Sequence, residues 1–220
     1  PTPRTDRLDP FALRALLLLS VFVLTIVVGD SASDRLASAF RFGPLAKGAD
    51  ARLDAWIAEA RELGLVCFDT ETDSLDAMQA NLVGVALATA PGKACYVPLQ
   101  HKAGDGFDFA GVAGRIEQVP LRDALDRLKP LLEDEATLKI GQNLKYDALV
   151  MRRYGVAIGP IDDTMLLSYV LDAGKGGNGM DELSERHLGH TPITFKEVTA
   201  KASVTGKKEE RTFDKVPVKD

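Results

Sequence analysis

Residues 65–72, LVCFDTET, restrict the possible folds more than any other stretch of this chain. A short apolar run rich in branched and aromatic residues reads as a buried strand. The strand covers LVCFD (65–69), and Asp69 and Glu71 form an Asp-x-Glu pair at its end. Residues two apart in an extended chain point to the same side, so both carboxylates face one point where the strand leaves the core. Two like charges that close are unfavourable unless a proton or a cation neutralises them. Hard oxygen donors with no His or Cys beside them favour Mg²⁺ or Mn²⁺ over zinc. The same pair also reads as solvated capping groups, because Thr70, Thr72, Asp73 and Ser74 are all capping residue types.

The surrounding sequence supplies the other layers. Residues 50–63 carry Leu53, Trp56, Ile57, Ala60 and Leu63 at helical spacing and stop at Gly64. Trp56 reads as a core anchor rather than a base-stacking platform. Residues 81–89 and 94–99 flank Pro91 and Gly92 and predict a hairpin. Residues 103–114, rich in Gly and polar groups, read as a loop. Pro120 opens a helix to about Leu132 with Leu121, Leu125, Leu128 and Leu132 on one face. A strand at 138–142, a helix at 144–154 stopped by Gly155, and helices at 164–171 and 181–187 follow. The pattern predicts an α/β fold, a mixed sheet with helices on both faces, with ligands beyond the ends of the central strands. A third carboxylate, Asp147, falls on the first helical turn after the 138–142 strand. Alone it complements the helix dipole. Beside Asp69 and Glu71 at another strand end, it becomes a candidate ligand for the same cation.

Composition narrows the function. A net charge of −5 argues against a binder that holds nucleic acid by bulk positive charge. An enzyme that meets phosphate through metal ions remains allowed. Two cysteines, Cys67 and Cys95, are too few for a disulfide framework or a cysteine-only zinc site, and read as core residues in a reducing compartment. One segment stands apart. Residues 11–28, FALRALLLLSVFVLTIVV, carry Arg14 as their one charge and approach the roughly 20 apolar residues of a membrane span. A signal-peptide core and a buried helix are the alternatives. Residues 29–49 read as linker, dividing an apolar N-terminal segment, 1–45, from a globular domain, 50–220. The basic residues before the apolar run, Arg4 and Arg7, would place the rest of the chain outside the cell. Cytoplasmic chemistry then requires that residues 1–45 be an unrelated or fused segment, with any membrane contact confined to 11–28.

FDTETDSLD (68–76) and KIGQNLKYDALVM (139–151) resemble the first and second motifs of the proofreading 3′–5′ exonuclease domain of bacterial family A DNA polymerases, within the DnaQ-like, ribonuclease H-like superfamily. YVPL (96–99), DDTMLLSYVLDAG (162–174), MDELSERHLGH (180–190) and TPITFKEV (191–198) extend the resemblance in order. It implies a ribonuclease H-like sheet here preceded by an apolar helix, two divalent ions, Mg²⁺ or Mn²⁺, and hydrolysis of the last phosphodiester of a DNA 3′ end. Asp69 and Glu71 would hold one metal, Asp69 would bridge to the second, and Asp147 would support that second ion. Thr70, Leu75 and Asn143 would line the terminal-nucleotide pocket. Single-stranded or frayed ends would be preferred, since unpairing a mismatch is less costly, and a polymerase domain would follow. An RNA-trimming, ribonuclease D-like enzyme and a non-catalytic module are the alternatives.

The family also uses a fourth carboxylate in a Tyr-x-x-x-Asp motif. No such motif follows Tyr169 in these 220 residues, and Tyr169 itself is followed four positions later by Ala173. The expectation is weak or absent activity in this chain. His187 and His190 read as structural or exposed. Lys139 and Lys145, flanking the second motif, read either as DNA-phosphate contacts or as solvated side chains.

Overall fold

The computed structural model describes residues 49–90, 93–102, 118–174, 176–192 and 212–215. The expected apolar helix at 11–28 and the loop at 103–114 lie outside the described residues. Among the described residues, no helix is long and apolar enough to cross a membrane.

The chain opens with helix α1 (Ala49–Leu63) and turns through Gly64 into strand β1 (Leu65–Thr72). Gly64 sits at a φ of +70°, a backbone region in which a side chain is strained. Strands β2 (Leu82–Ala90) and β3 (Lys93–Pro98) complete an antiparallel meander. Helix α2 (Leu121–Leu132) follows, with Pro120 as its cap residue. Then come β4 (Leu138–Gly141), α3 (Leu144–Arg153), β5 (Ile161–Asp163), α4 (Thr164–Leu171), α5 (Met180–Leu188) and a 3₁₀ turn at Phe213–Lys215. The sheet runs β3-β2-β1-β4-β5, with β4 parallel to β1 and β5 parallel to β4. A mixed five-stranded sheet flanked by helices is the expected α/β architecture.

Alternation along β1 separates two faces. Val66 and Phe68 join the main core with Leu53, Ile57 and Ala60 of α1, Leu128, Leu131 and Leu132 of α2, and Val150 and Met151 of α3. Cys67 points the other way, into a small cluster with Ala88 and Ala94. Both cysteines are buried free thiols, as expected. Trp56 packs, partly buried, against the main core in the anchoring role its spacing suggests.

Two elements differ from the sequence reading. Strand β1 continues to Thr72, so both acidic residues belong to the sheet. Strand β5 is an addition: its three residues, Ile-Asp-Asp, offer no apolar periodicity and exist as a strand through pairing with β4. Lys139 overturns its expectation. Its side chain is fully buried in the sheet, and Nζ donates to the carbonyls of Asp134 (2.7 Å), Thr137 (2.6 Å) and Gly159 (2.5 Å). It ties the end of α2 to the loop before β5, and neither DNA nor bulk water reaches it.

Candidate active site

Because β1, β4 and β5 are parallel, their C-terminal ends share one rim. The register sets Cys67 beside Ile140, Ile140 beside Asp162, and Gly141 beside Asp163. Asp69 lies two residues past Cys67, and α3 starts directly beyond β4. Gly141 makes the close approach possible, since a Cβ there would fall 2.6 Å from the Phe68 carbonyl oxygen. Asn143 then turns the chain into α3 in the left-handed conformation (φ 61°), which Asn tolerates better than most residues.

Asp147, on the first turn of α3, is buried at this rim. Its Oδ1 accepts hydrogen bonds from the Thr70 backbone N–H (2.9 Å) and from Thr70 Oγ1 (2.5 Å). The second motif is thereby fastened to the strand residue between Asp69 and Glu71. These two hydrogen bonds bring the second motif against the first, and the buried carboxyls act on one another electrostatically. Burial, then the charges of Asp147 and Glu71, push the Asp69 carboxyl well above the ordinary range. Burial and the Asp147 charge raise Glu71 to about 8. Burial raises Asp147 to about 6, against the lowering effect of the Thr70 hydrogen bonds, with a further upward push from Asp163.

Burial and mutual repulsion together favour the neutral form of these carboxyls. Glu71 Oε1 is buried with no hydrogen-bond partner. Among the described residues, no three His, Cys, Asp or Glu side chains stand as a ready-made metal cage. An orphaned, buried carboxylate oxygen beside two further carboxylates fits a hard divalent cation.

The predicted nucleotide-pocket residues surround the same rim. Thr70 is buried and its hydroxyl is occupied by Asp147, so it acts on Asp147 in this structure. Leu75 is 93% exposed on the turn that follows β1. That turn is braced from α3, because Tyr146 Oη donates to the Ser74 carbonyl (2.5 Å) and contacts Thr72 Oγ1 at 2.5 Å. Asn143 donates its backbone N–H to Asp163 Oδ1 (3.0 Å), and its side-chain oxygen accepts from Lys145. Lys145 is exposed. His187 is on α5 and His190 just after it, both half-buried. Residues that sequence reasoning passed over are Tyr146, which carried no clear signal, and Asp163, visible in the sequence as a helix-capping type ahead of an apolar run.

An acidic rim at the ends of parallel strands in a mixed sheet has the hard oxygen donors that suit a divalent cation. Solved structures share this fold: RNase D of Trypanosoma brucei in complex with GMP has a TM-score of 0.52 at 11% identity, over 70% of this chain and 43% of that one. Pol1 of M. smegmatis, with DNA primer-template and dNTP, has a TM-score of 0.51 at 19% identity, over 68% of this chain and 23% of that one.

Sequence relationships identify the family. Residues 48–217 match the 3′–5′ exonuclease domain family of DNA polymerase A, and the chain belongs to that domain family. DNA polymerase I of Rhizobium leguminosarum is 58% identical over 164 residues, covering 70% of this chain and 16% of its own length. DNA polymerase I of Pseudomonas aeruginosa is 41% identical over 172 residues, covering 76% of this chain and 17% of its own length. The chain thus spans about one sixth of the relatives it matches. Residues 1–61 separately match a domain of unknown function, DUF4175.

Proposed function

We propose that this exonuclease domain removes nucleotides one at a time from the 3′ end of single-stranded or frayed DNA, as the proofreading part of a DNA polymerase in the bacterial cytoplasm. The observation that carries the reading is the pair of hydrogen bonds from Thr70 to Asp147, which joins both acidic motifs at one rim. Asp69, Glu71 and Asp147 are the residues that would hold divalent ions, Mg²⁺ or Mn²⁺, two in the full site. Such ions supply Lewis acidity and offset charge on the phosphate, which an acidic protein cannot do alone. The protein's own contributions are positional. Thr70 orients Asp147. Asn143, held by Asp163, and the exposed Leu75 on its braced turn frame the place where a terminal nucleotide would lie.

The relation to DNA polymerase I at 58% and 41% identity supports DNA over RNA, whereas the likeness to RNase D rests on fold. Metal binding reports on the three carboxylates independently of turnover. Mn²⁺ binding is therefore measured alongside digestion. We expect wild type to bind Mn²⁺ in a calorimetric titration and to shorten a 3′-labelled single-stranded DNA faster than the matched RNA, and Asp69→Ala to lose both properties. Equal Mn²⁺ binding by wild type and Asp69→Ala would refute the site. Faster digestion of RNA would transfer the domain to the RNA-trimming reading. The match of residues 1–61 to a different domain supports a separate origin for residues 1–45.

A further inference from the structure

Asp163 occupies the end of β5, beside Gly141 of β4. Its Oδ1 accepts three backbone hydrogen bonds, from Asn143 (3.0 Å), Met165 (2.9 Å) and Leu166 (3.4 Å). Two of these cap α4, and the third fixes the left-handed residue that starts α3. The other oxygen, Oδ2, is buried and has no partner, on a residue only 5% exposed. Capping does not account for that oxygen. Asn or Ser would cap α4 as well without burying an additional charge, and a buried polar atom with no partner is costly. The Asp163 charge also acts on Asp147, on the neighbouring element.

We infer that Asp163 is a positioning residue of the metal site: Oδ1 locks the entry to α3, and Oδ2 accepts a hydrogen bond from the hydration shell of a cation held beside Asp147. The inference rests on the proposed metal-dependent function and adds to it a residue outside the predicted ligand set. Divalent ions of this type, Mg²⁺ above all, retain several waters, and the carboxylates that receive those waters orient the ion. Asp163 is held rigidly for that task, because its first oxygen is fixed to two elements at once.

The test is Mn²⁺ titration of the 220-residue chain, by calorimetry and by electron paramagnetic resonance of free Mn²⁺, without DNA. Asp163→Asn keeps a capping oxygen and removes the charge. Its expected Mn²⁺ affinity is at least about tenfold below wild type, the usual size of an outer-sphere loss, with the Tm of the metal-free protein unchanged or raised. Asp163→Ser, which also keeps a cap, should show the same loss and guards against misfolding of the first variant. Asp162→Asn removes a charge one residue away and should bind within about twofold of wild type. Asp163→Asn and Asp163→Ser binding as wild type, while Asp69→Ala loses binding, would overturn the role of Asp163 and leave the proposed function standing. An equal loss in Asp162→Asn would overturn it too, by reducing the effect to net charge. Undiminished binding in Asp69→Ala would remove the metal site itself.

Discussion

Two buried side chains show how position decides what a charge does. Lys139 is a cation held by the backbone carbonyls of Asp134, Thr137 and Gly159. Replacing it with Met should lower stability by about 2–4 kcal/mol in chemical denaturation, because several buried acceptors lose their partner together. Mn²⁺ affinity should be unchanged, since Lys139 does not reach the rim. Glu71 is the opposite case, a buried carboxyl whose Oε1 has no hydrogen-bond partner. Its folded value of about 8 lies above its ordinary 4.5, and Asp147 at about 6 lies above 3.8. The protonated forms are therefore favoured by the fold. Stability from these groups is intact below about pH 4 and is lost as pH rises through 6 and then 8. The metal-free protein should show a Tm that falls between pH 5 and pH 9 in scanning calorimetry, and saturating Mg²⁺ should flatten that fall. Asp69→Asn should stabilise the metal-free protein near pH 8 by on the order of 1–2 kcal/mol, about one pKa unit of relieved repulsion. A Tm independent of both pH and Mg²⁺ would contradict the electrostatic account.

At the scale of elements, the site depends on how closely three strand ends approach. The clearest check is Gly141→Ala. The added methyl would press on the Phe68 carbonyl oxygen, which belongs to the backbone and cannot swing aside. A loss of about 1–3 kcal/mol is expected from overpacking, measured by urea unfolding, together with weaker Mn²⁺ binding as β4 and α3 shift from β1. Most elements were legible from apolar spacing. The reading of 164–171 matches α4, and 144–154 differs from α3 by one residue. The misses have physical causes. Strand β5 is a three-residue, mostly acidic sequence whose extended form comes from its neighbour. The last residues of β1 look like a capping segment because Thr, Glu and Asp are turn and cap types, yet β2 pairs with them through Thr72.

For the molecule as a whole, the described core begins at α1, where Leu53, Ile57 and Ala60 pack beneath the sheet. A chain starting at residue 46 should therefore keep the Mn²⁺ affinity of the 220-residue chain and unfold within about 1 kcal/mol of it, the range of changes that leave the core intact. Loss of folding on this deletion would show that the first 45 residues belong to the exonuclease unit. The site itself was partly written in the sequence. Asp69 and Glu71 share a side of one strand by the two-residue period alone, and Asp147 follows a second strand at a helix start. Their carboxylate chemistry, and the hard cations it suits, are properties of the residue types. Which charges would meet was settled only by the fold. Parallel pairing of β1, β4 and β5 brought separate segments to one rim, buried Lys139 away from it, and set Asp163 beside Asp147. Local sequence specifies the direction of a side chain along its own element. The distance between elements depends on sheet register and on the room left at Gly141, and both are set by packing among residues far apart in the chain.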